Sequence, residues 1–282
     1  MTSVIHDIGY QRYQGARLGR GFAVRSLYLH SLRAAYGIGR SAKAKIFPWL
    51  VAGLVLSVAA VAAAVRAITG EAVMDYPGFS DAVVVLVVLF IAVVAPELVS
   101  RDLRSGVLAL YFSRPLRRGD YAWAKLAALV SAVWLLLALP LLVMFVGGAF
   151  SLDTWSAVWT EARDFAGGLG YAALCAVLFG SIALAIASLI GRRAVAAGAV
   201  VAAFLVTTPV VGLLSAVGGD AVQKLAGLFS PGTLILGVRV WLFGEEGAPY
   251  PGEYGVWYGV VTVAVVAAFI GLLLVRYRRV QR

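Results

Sequence analysis

Six long apolar runs constrain this chain before any other feature does. They extend roughly from Phe47 to Val65, Ala82 to Val99, Tyr121 to Val146, Phe165 to Ile190, Ala194 to Val217 and Tyr254 to Val275. A helix rises about 1.5 Å per residue, so crossing a hydrocarbon core of ~30 Å takes about 20 apolar residues. The runs are rich in Val, Ala and Leu and carry no alternating polar face. That excludes a membrane barrel, whose strands need about 9–11 residues of alternating character. A soluble fold is excluded by composition. The chain is 62% hydrophobic and 13% charged, against about 45–50% and about 25% in soluble domains. In water the excess apolar surface would drive aggregation. The expected fold class is all-α, a polytopic membrane bundle of six transmembrane helices.

The orientation follows from the basic residues, which collect on the cytoplasmic side of membrane proteins. Eight precede the first run, six lie between Arg101 and Lys125, Arg192 and Arg193 join runs four and five, and four close the tail, so 20 of 24 fall on one side. The other side keeps Arg66, Arg163, Lys224 and Arg239, together with 10 of the 14 acids. Both termini are therefore expected in the cytoplasm. The net charge of +10 mostly reports this asymmetry. It points to anionic-lipid contact rather than nucleic-acid binding.

The chain divides into a cytoplasmic N-terminal tail (1–21), an amphipathic interface helix (22–46) and a transmembrane domain (47–282). In the helix, Val24, Leu27, Tyr28, Ala34, Ala35 and Ile38 fall on one side of a wheel. Arg25, Arg33 and Arg40 fall on the other, where they would face lipid phosphates. Pro48 is expected to open the first span, where a missing N–H costs little. The first run starts too far along the chain to serve as a cleavable signal, so none is expected. A shorter apolar stretch, Gly232 to Phe243, contains Arg239, which at mid-bilayer would cost about 2.5–3.5 kcal/mol. With Ala221 to Phe229 and the break Ser230-Pro231-Gly232 it reads as a re-entrant or interfacial hairpin before the last span.

No enzymatic role is expected. The sequence has no GxxxxGK[ST] and no Gly-Lys dipeptide, so it lacks the usual phosphate cradle for ATP. It has no HExxH, no GxSxG, and one cysteine, Cys175, inside an apolar run. His6 and His30 offer too few ligands for a metal site. Lys125 lies near the cytoplasmic end of its run, where its ammonium can snorkel. Runs three to six show no mid-membrane carboxylate of the kind ion-coupled carriers bury, which favours an outside source of energy. Gly167, Gly168, Gly170, Gly180, Gly191 and Gly198 permit close helix approach.

The most informative segment is cytoplasmic, 100–120, between runs two and three. In PELVSRDLRSGVLALYFSRPLRR (Pro96 to Arg118), Leu103, Val107 and Leu110 follow helical spacing, as do Leu108 and Phe112, with arginines interleaved. A short helix is expected to stop near Ser113-Arg114-Pro115, because proline disfavours helix at the residue before it. Its residues are either a knob for a cytoplasmic partner or a helix resting in the headgroups.

This segment resembles the signature of type-2 ABC transporter permeases. Ser100, Arg101, Asp102, Gly106, Leu108, Leu110, Ser113, Arg114, Pro115 and Arg118 match it, whereas the family usually has Glu where Asp102 stands and often Glu where Arg104 and Ser105 stand. The start, Gly15 to Leu50, is similar to actinobacterial members. The resemblance implies a bacterial plasma-membrane exporter subunit. Its coupling segment, with Glu97, Arg101, Asp102, Arg104, Gly106, Leu110, Arg114 and Pro115, would seat in a separate ATPase subunit present in two copies. ATP and Mg would be bound by that partner, with no cofactor in this chain, and a second permease, the same or a sister chain, would complete the transporter among membrane lipids. Two alternatives stay open from the residues alone: an ATP-independent channel or carrier whose basic loop holds lipid, and a membrane anchor or assembly factor.

Overall fold

The computed structural model describes residues 15, 18–104, 106, 111, 116–150, 152, 154–244 and 251–279, without the side chains of Arg101 and Leu103. Among these the regular structure is helical throughout. The α-helices are α1 (Arg20–Ala35), α2 (Ala42–Thr69), α3 (Tyr76–Ala82), α4 (Val84–Leu98), α5 (Ser100–Arg104), α6 (Arg118–Ala149), α7 (Trp155–Leu189), α8 (Arg193–Leu205), α9 (Thr207–Val217), α10 (Asp220–Ala226), α11 (Pro231–Phe243) and α12 (Gly255–Arg279). Five helical segments are long and apolar enough to cross a membrane: Ala42–Thr69, Arg118–Ala149, Trp155–Leu189, Arg193–Val217 and Gly252–Arg279. The number rises to seven if two bent pairs are each one span. These are Tyr76–Ala82 with Val84–Leu98, bent by 59°, and Asp220–Phe229 with Pro231–Phe243, bent by 118°.

Burial sorts these helices into a centre and a periphery. The apolar stretch of α7 is 72% buried and that of α6 50%, whereas Arg193–Val217 and Gly252–Arg279 reach only 17% each. The α6–α7 pair is the core, and the outer helices keep large apolar side chains exposed, among them Leu54, Val61, Leu213 and Val263. Water would penalise such faces, whereas lipid does not. The tryptophans agree. Trp123, Trp155, Trp159, Trp241 and Trp257 are exposed and sit near helix ends, where amphipathic rings suit the membrane interface.

Local chemistry explains the punctuation. Asp75 caps α3 by accepting the Gly78 N–H at 3.0 Å, as N-cap acids do. Gly70 and Gly244, both with positive φ, close α2 and α11. The glycines of the core are used unequally. A side chain at Gly168 would collide with Tyr76, and one at Gly180 would press Val130 at 3.2 Å, so α7 comes close to its neighbours at both. Gly170, Gly191 and Gly198 face open space.

Three expectations about element bounds need correction. The interface helix, read as 22–46, ends at Ala35, because the chain reverses through Gly37 and Gly39 at φ of 67° and 81°. A Cβ at Gly37 would lie 2.6 Å from the Ala44 carbonyl oxygen. Ile38, read as apolar-face, is 49% exposed beyond that end. Pro48 does not open the first span. It lies inside α2, because the helix begins at Ala42, ahead of the apolar run.

Candidate functional site

Several of the basic residues that the sequence assigns to one side, among them Arg20, Arg40, Arg118, Lys125 and Arg193, are held at one end of the bundle by specific contacts. The α1 helix packs on α6 through Leu27, Ser31 and Ala35, which are buried. Tyr28 Oη donates to Ser131 Oγ at 3.0 Å and Tyr36 Oη to the Ala132 carbonyl at 2.7 Å. Burial pushes the Tyr36 phenol well above its ordinary pKa, so it remains a donor. Arg20 forks onto Asp120 with contacts of 2.7 and 2.5 Å. Arg25 and Arg33 are exposed, as the wheel predicts. Arg40 is half-buried and ion-pairs with Glu97, whose other oxygen takes Arg193. Arg40 thus has a protein carboxylate as partner.

The short helix α5 leaves this end and is rooted at two points. Ser100 is buried, and its hydroxyl donates to the Ala187 carbonyl at 2.9 Å, near the end of α7. Asp102 accepts the Tyr121 hydroxyl at 2.7 Å and pairs with Lys125 at 2.8 Å. Their side chains are 15% and 5% exposed, respectively. Tyr121 and Lys125 stand one turn apart on α6, so one face of that helix grips one carboxylate. Around it, the Tyr121 ring packs on Tyr277 and Tyr111 with centroids at 5.0 and 5.8 Å. The Lys125 ammonium lies 5.4 Å from the Tyr121 centroid, within cation–π range. Arg118 donates to the Arg278 carbonyl at 2.9 Å and so ties the start of α6 to the end of α12.

Past this root Arg104 and Gly106 are exposed, and Gly106 has φ +68°, a conformation that favours glycine. Of the remaining expected coupling residues, Leu110, Arg114 and Pro115 lie outside the described residues, and Arg101 is placed in α5 by its backbone alone. The structure thus brings Asp102 onto Lys125 and Tyr121, and Glu97 onto Arg40 and Arg193. It leaves Arg104 and Gly106 at the surface.

The opposite end is also bridged by charges. Arg66 of α2 forks onto Glu161 of α7 at 2.6 and 2.7 Å, and Tyr76 also donates to Glu161. Arg239 of α11 pairs with Asp81 at 3.2 Å and lies 3.8 Å from Asp75. Tyr171 donates to Asp81 at 2.6 Å. The Arg66, Tyr76 and Glu161 contacts border a cavity of about 600 Å³ also lined by Met74, Met144 and Phe243. Sequence reasoning places Arg239 away from mid-bilayer but misses its partners. The available signal was the opposite charges at run ends on the far side. Among the described residues, no three His, Cys, Asp or Glu side chains converge as metal ligands would.

Comparison of the chain with protein-family models and with curated proteins finds no match.

Proposed function

We propose that this chain is the permease subunit of an ATP-binding cassette exporter of the bacterial plasma membrane. In this reading the bundle has six spans: the five long helical segments plus α3–α4 as one broken span. The α10–α11 pair is the re-entrant hairpin, since its 118° bend returns the chain toward the side it came from. Both termini are cytoplasmic. Two copies of an ATPase subunit bind ATP and Mg, and a second permease, the same or a sister chain, completes the path through the membrane.

The observation that carries the reading is the rooting of α5. A lever must be fixed to the body it moves and free where it is pushed. The Ser100 contact with Ala187 and the Asp102 contacts with Lys125 and Tyr121 fix α5 to α7 and α6. Arg104 and Gly106 are accessible just beyond. Force applied there reaches α6 and α7 through two hydroxyl contacts and one ion pair. A transporter driven by a separate motor needs such a connection, whereas a passive pore or an anchor does not. The far-end bridges, Arg66–Glu161 and Arg239–Asp81, suit contacts that break and reform as the bundle alternates.

The test is purification of the full chain from its native membranes in mild detergent, with ATP hydrolysis measured in the eluate. The reading expects a co-purifying ATPase, and at least tenfold less hydrolysis with Arg104→Glu at an unchanged thermal midpoint. An eluate free of ATPase, or one that the substitution leaves untouched, counts against it.

A further inference from the structure

At the basic end, cations outnumber the carboxylate they surround. Glu97, at the end of α4, is 10% exposed and meets Arg40 through one oxygen and Arg193 through the other. Arg104 lines the same cavity, about 560 Å³ in volume, together with Ser41 and Ser100. An adjoining cavity of about 930 Å³ shares Arg104 and Arg193 and adds Arg192. Among the described residues, four guanidiniums and one carboxylate thus line two adjoining recesses that share Arg104, Gly191 and Arg193, a net charge of +3 for these side chains. The other ion pairs described here match each cation with at least one acid: Arg20 with Asp120, Arg66 with Glu161, Lys125 with Asp102, Lys224 with Asp220, and Arg239 with Asp81 and Asp75.

The imbalance has a chemical reading. A guanidinium carries five N–H donors in a planar fork that suits phosphate oxygens. One carboxylate cannot engage all ten N–H donors of Arg40 and Arg193, which leaves donors on both. Arg104 and Arg192 make no ion pair among the described residues. Lining two adjoining recesses with four guanidiniums and one carboxylate is repulsive, and an incoming anion relieves that repulsion. Glu97 fixes two of the four in place, so the site is largely organised before a ligand arrives.

The walls indicate where the anion comes from. The larger recess is bordered by Val93, Ala194 and Ala197 beside the arginines. Its α8 wall belongs to an apolar segment that is only 17% buried, so the recess adjoins an exposed apolar surface of the kind lipid covers. Charge on one rim and aliphatic side chains on the other match an amphiphile with a phosphate head. We propose that Arg40, Arg104, Arg192 and Arg193, organised by Glu97, form a defined binding site for the phosphate group of an anionic phospholipid. Basic pockets between membrane helices on the cytoplasmic side bind such head groups.

The inference is independent of the transport reading, because it is tested on the isolated full chain. The protein is delipidated in neutral detergent and titrated with phosphatidylglycerol, phosphatidylcholine or inorganic phosphate. Bound lipid is counted by native mass spectrometry. The expected result is one phosphatidylglycerol per chain held at least tenfold more tightly than phosphatidylcholine and undisturbed by millimolar phosphate. Arg104→Gln with Arg192→Gln, two exposed positions outside the ion pairs, should lower that affinity at least tenfold at an unchanged thermal midpoint. Equal retention by the double variant, or equal binding of phosphatidylcholine, overturns the site. Displacement of the lipid by inorganic phosphate overturns the lipid as its source and assigns the site to a soluble anion.

Discussion

Replacing Lys125 with Met should destabilise the bundle more than any comparable surface change. The side chain is 5% exposed, and its ammonium sits 2.8 Å from Asp102. The Met side chain approximates the volume of the aliphatic stem, so packing is largely kept and the loss is electrostatic. Removing one partner of a buried pair costs about 3–5 kcal/mol, because the other charge stays buried without compensation. Asp102 is somewhat more exposed, at 15%, and keeps the Tyr121 hydroxyl, so the low end applies, about 3 kcal/mol. At about 2–4 °C per kcal/mol that is a fall of roughly 6–12 °C in the thermal midpoint. The assay is thermal unfolding in one detergent at fixed lipid content. The double variant Lys125→Met with Asp102→Asn removes the stranded charge and leaves a carbonyl for Tyr121, so at least half the loss should return. A single variant within 1 °C of the parent, or no recovery in the double, would refute the assignment of this pair as the root of α5.

Other expectations follow from the same contacts. Gly237→Ala places a methyl group inside the Tyr258 ring, which is wholly buried and tethered by its hydroxyl to the Lys224 carbonyl at 2.7 Å. Overpacking of this kind costs about 1–3 kcal/mol, readable as a lower thermal midpoint. Glu161→Gln strips the charge from the fork with Arg66 and from the Tyr76 contact, which should loosen α2 and α3 from α7 at the far end. Hydrogen exchange should then rise in 66–82 and stay unchanged in 118–130. Arg20→Ala should leave the midpoint within about 2 °C, because exposed pairs contribute little, even though its contacts with Asp120 are short.

The spans were legible because apolarity over about 20 residues is a sum that local detail cannot hide. Their ends were not. The α7 helix begins at Trp155, ten residues before its apolar run, since helical hydrogen bonding continues after lipid contact stops. The early end of α1 was written in the sequence as Gly37-Ile38-Gly39, a pair of left-handed turns that the amphipathic pattern ran across. The break at Val83 has no glycine or proline to announce it. The break at Val206 precedes Thr207-Thr208-Pro209, where Pro209 lacks an N–H and Thr208 donates to the Phe204 carbonyl at 3.1 Å.

The site was legible in part. The importance of Asp102 was read from its motif, but its partners lie 19 and 23 residues away on another helix, and no local pattern joins them. The position of Lys125 near a run end suggests a snorkelling side chain, whereas in the fold it is an internal counter-ion. Glu97 and Arg40 belong to different segments of the sequence and meet each other. That changes the choice of probe. A charge reversal at Asp102 would set two ammonium groups together and confound folding with coupling, whereas Arg104 is exposed and its substitution leaves the Asp102 pair intact.

The most direct measurement uses Arg104→Cys in a Cys175→Ala background and a membrane-impermeant maleimide. The account predicts labelling in inverted vesicles, none in intact cells, and protection when the partner ATPase is bound. Labelling from outside intact cells, or equal labelling with and without the ATPase, would contradict it.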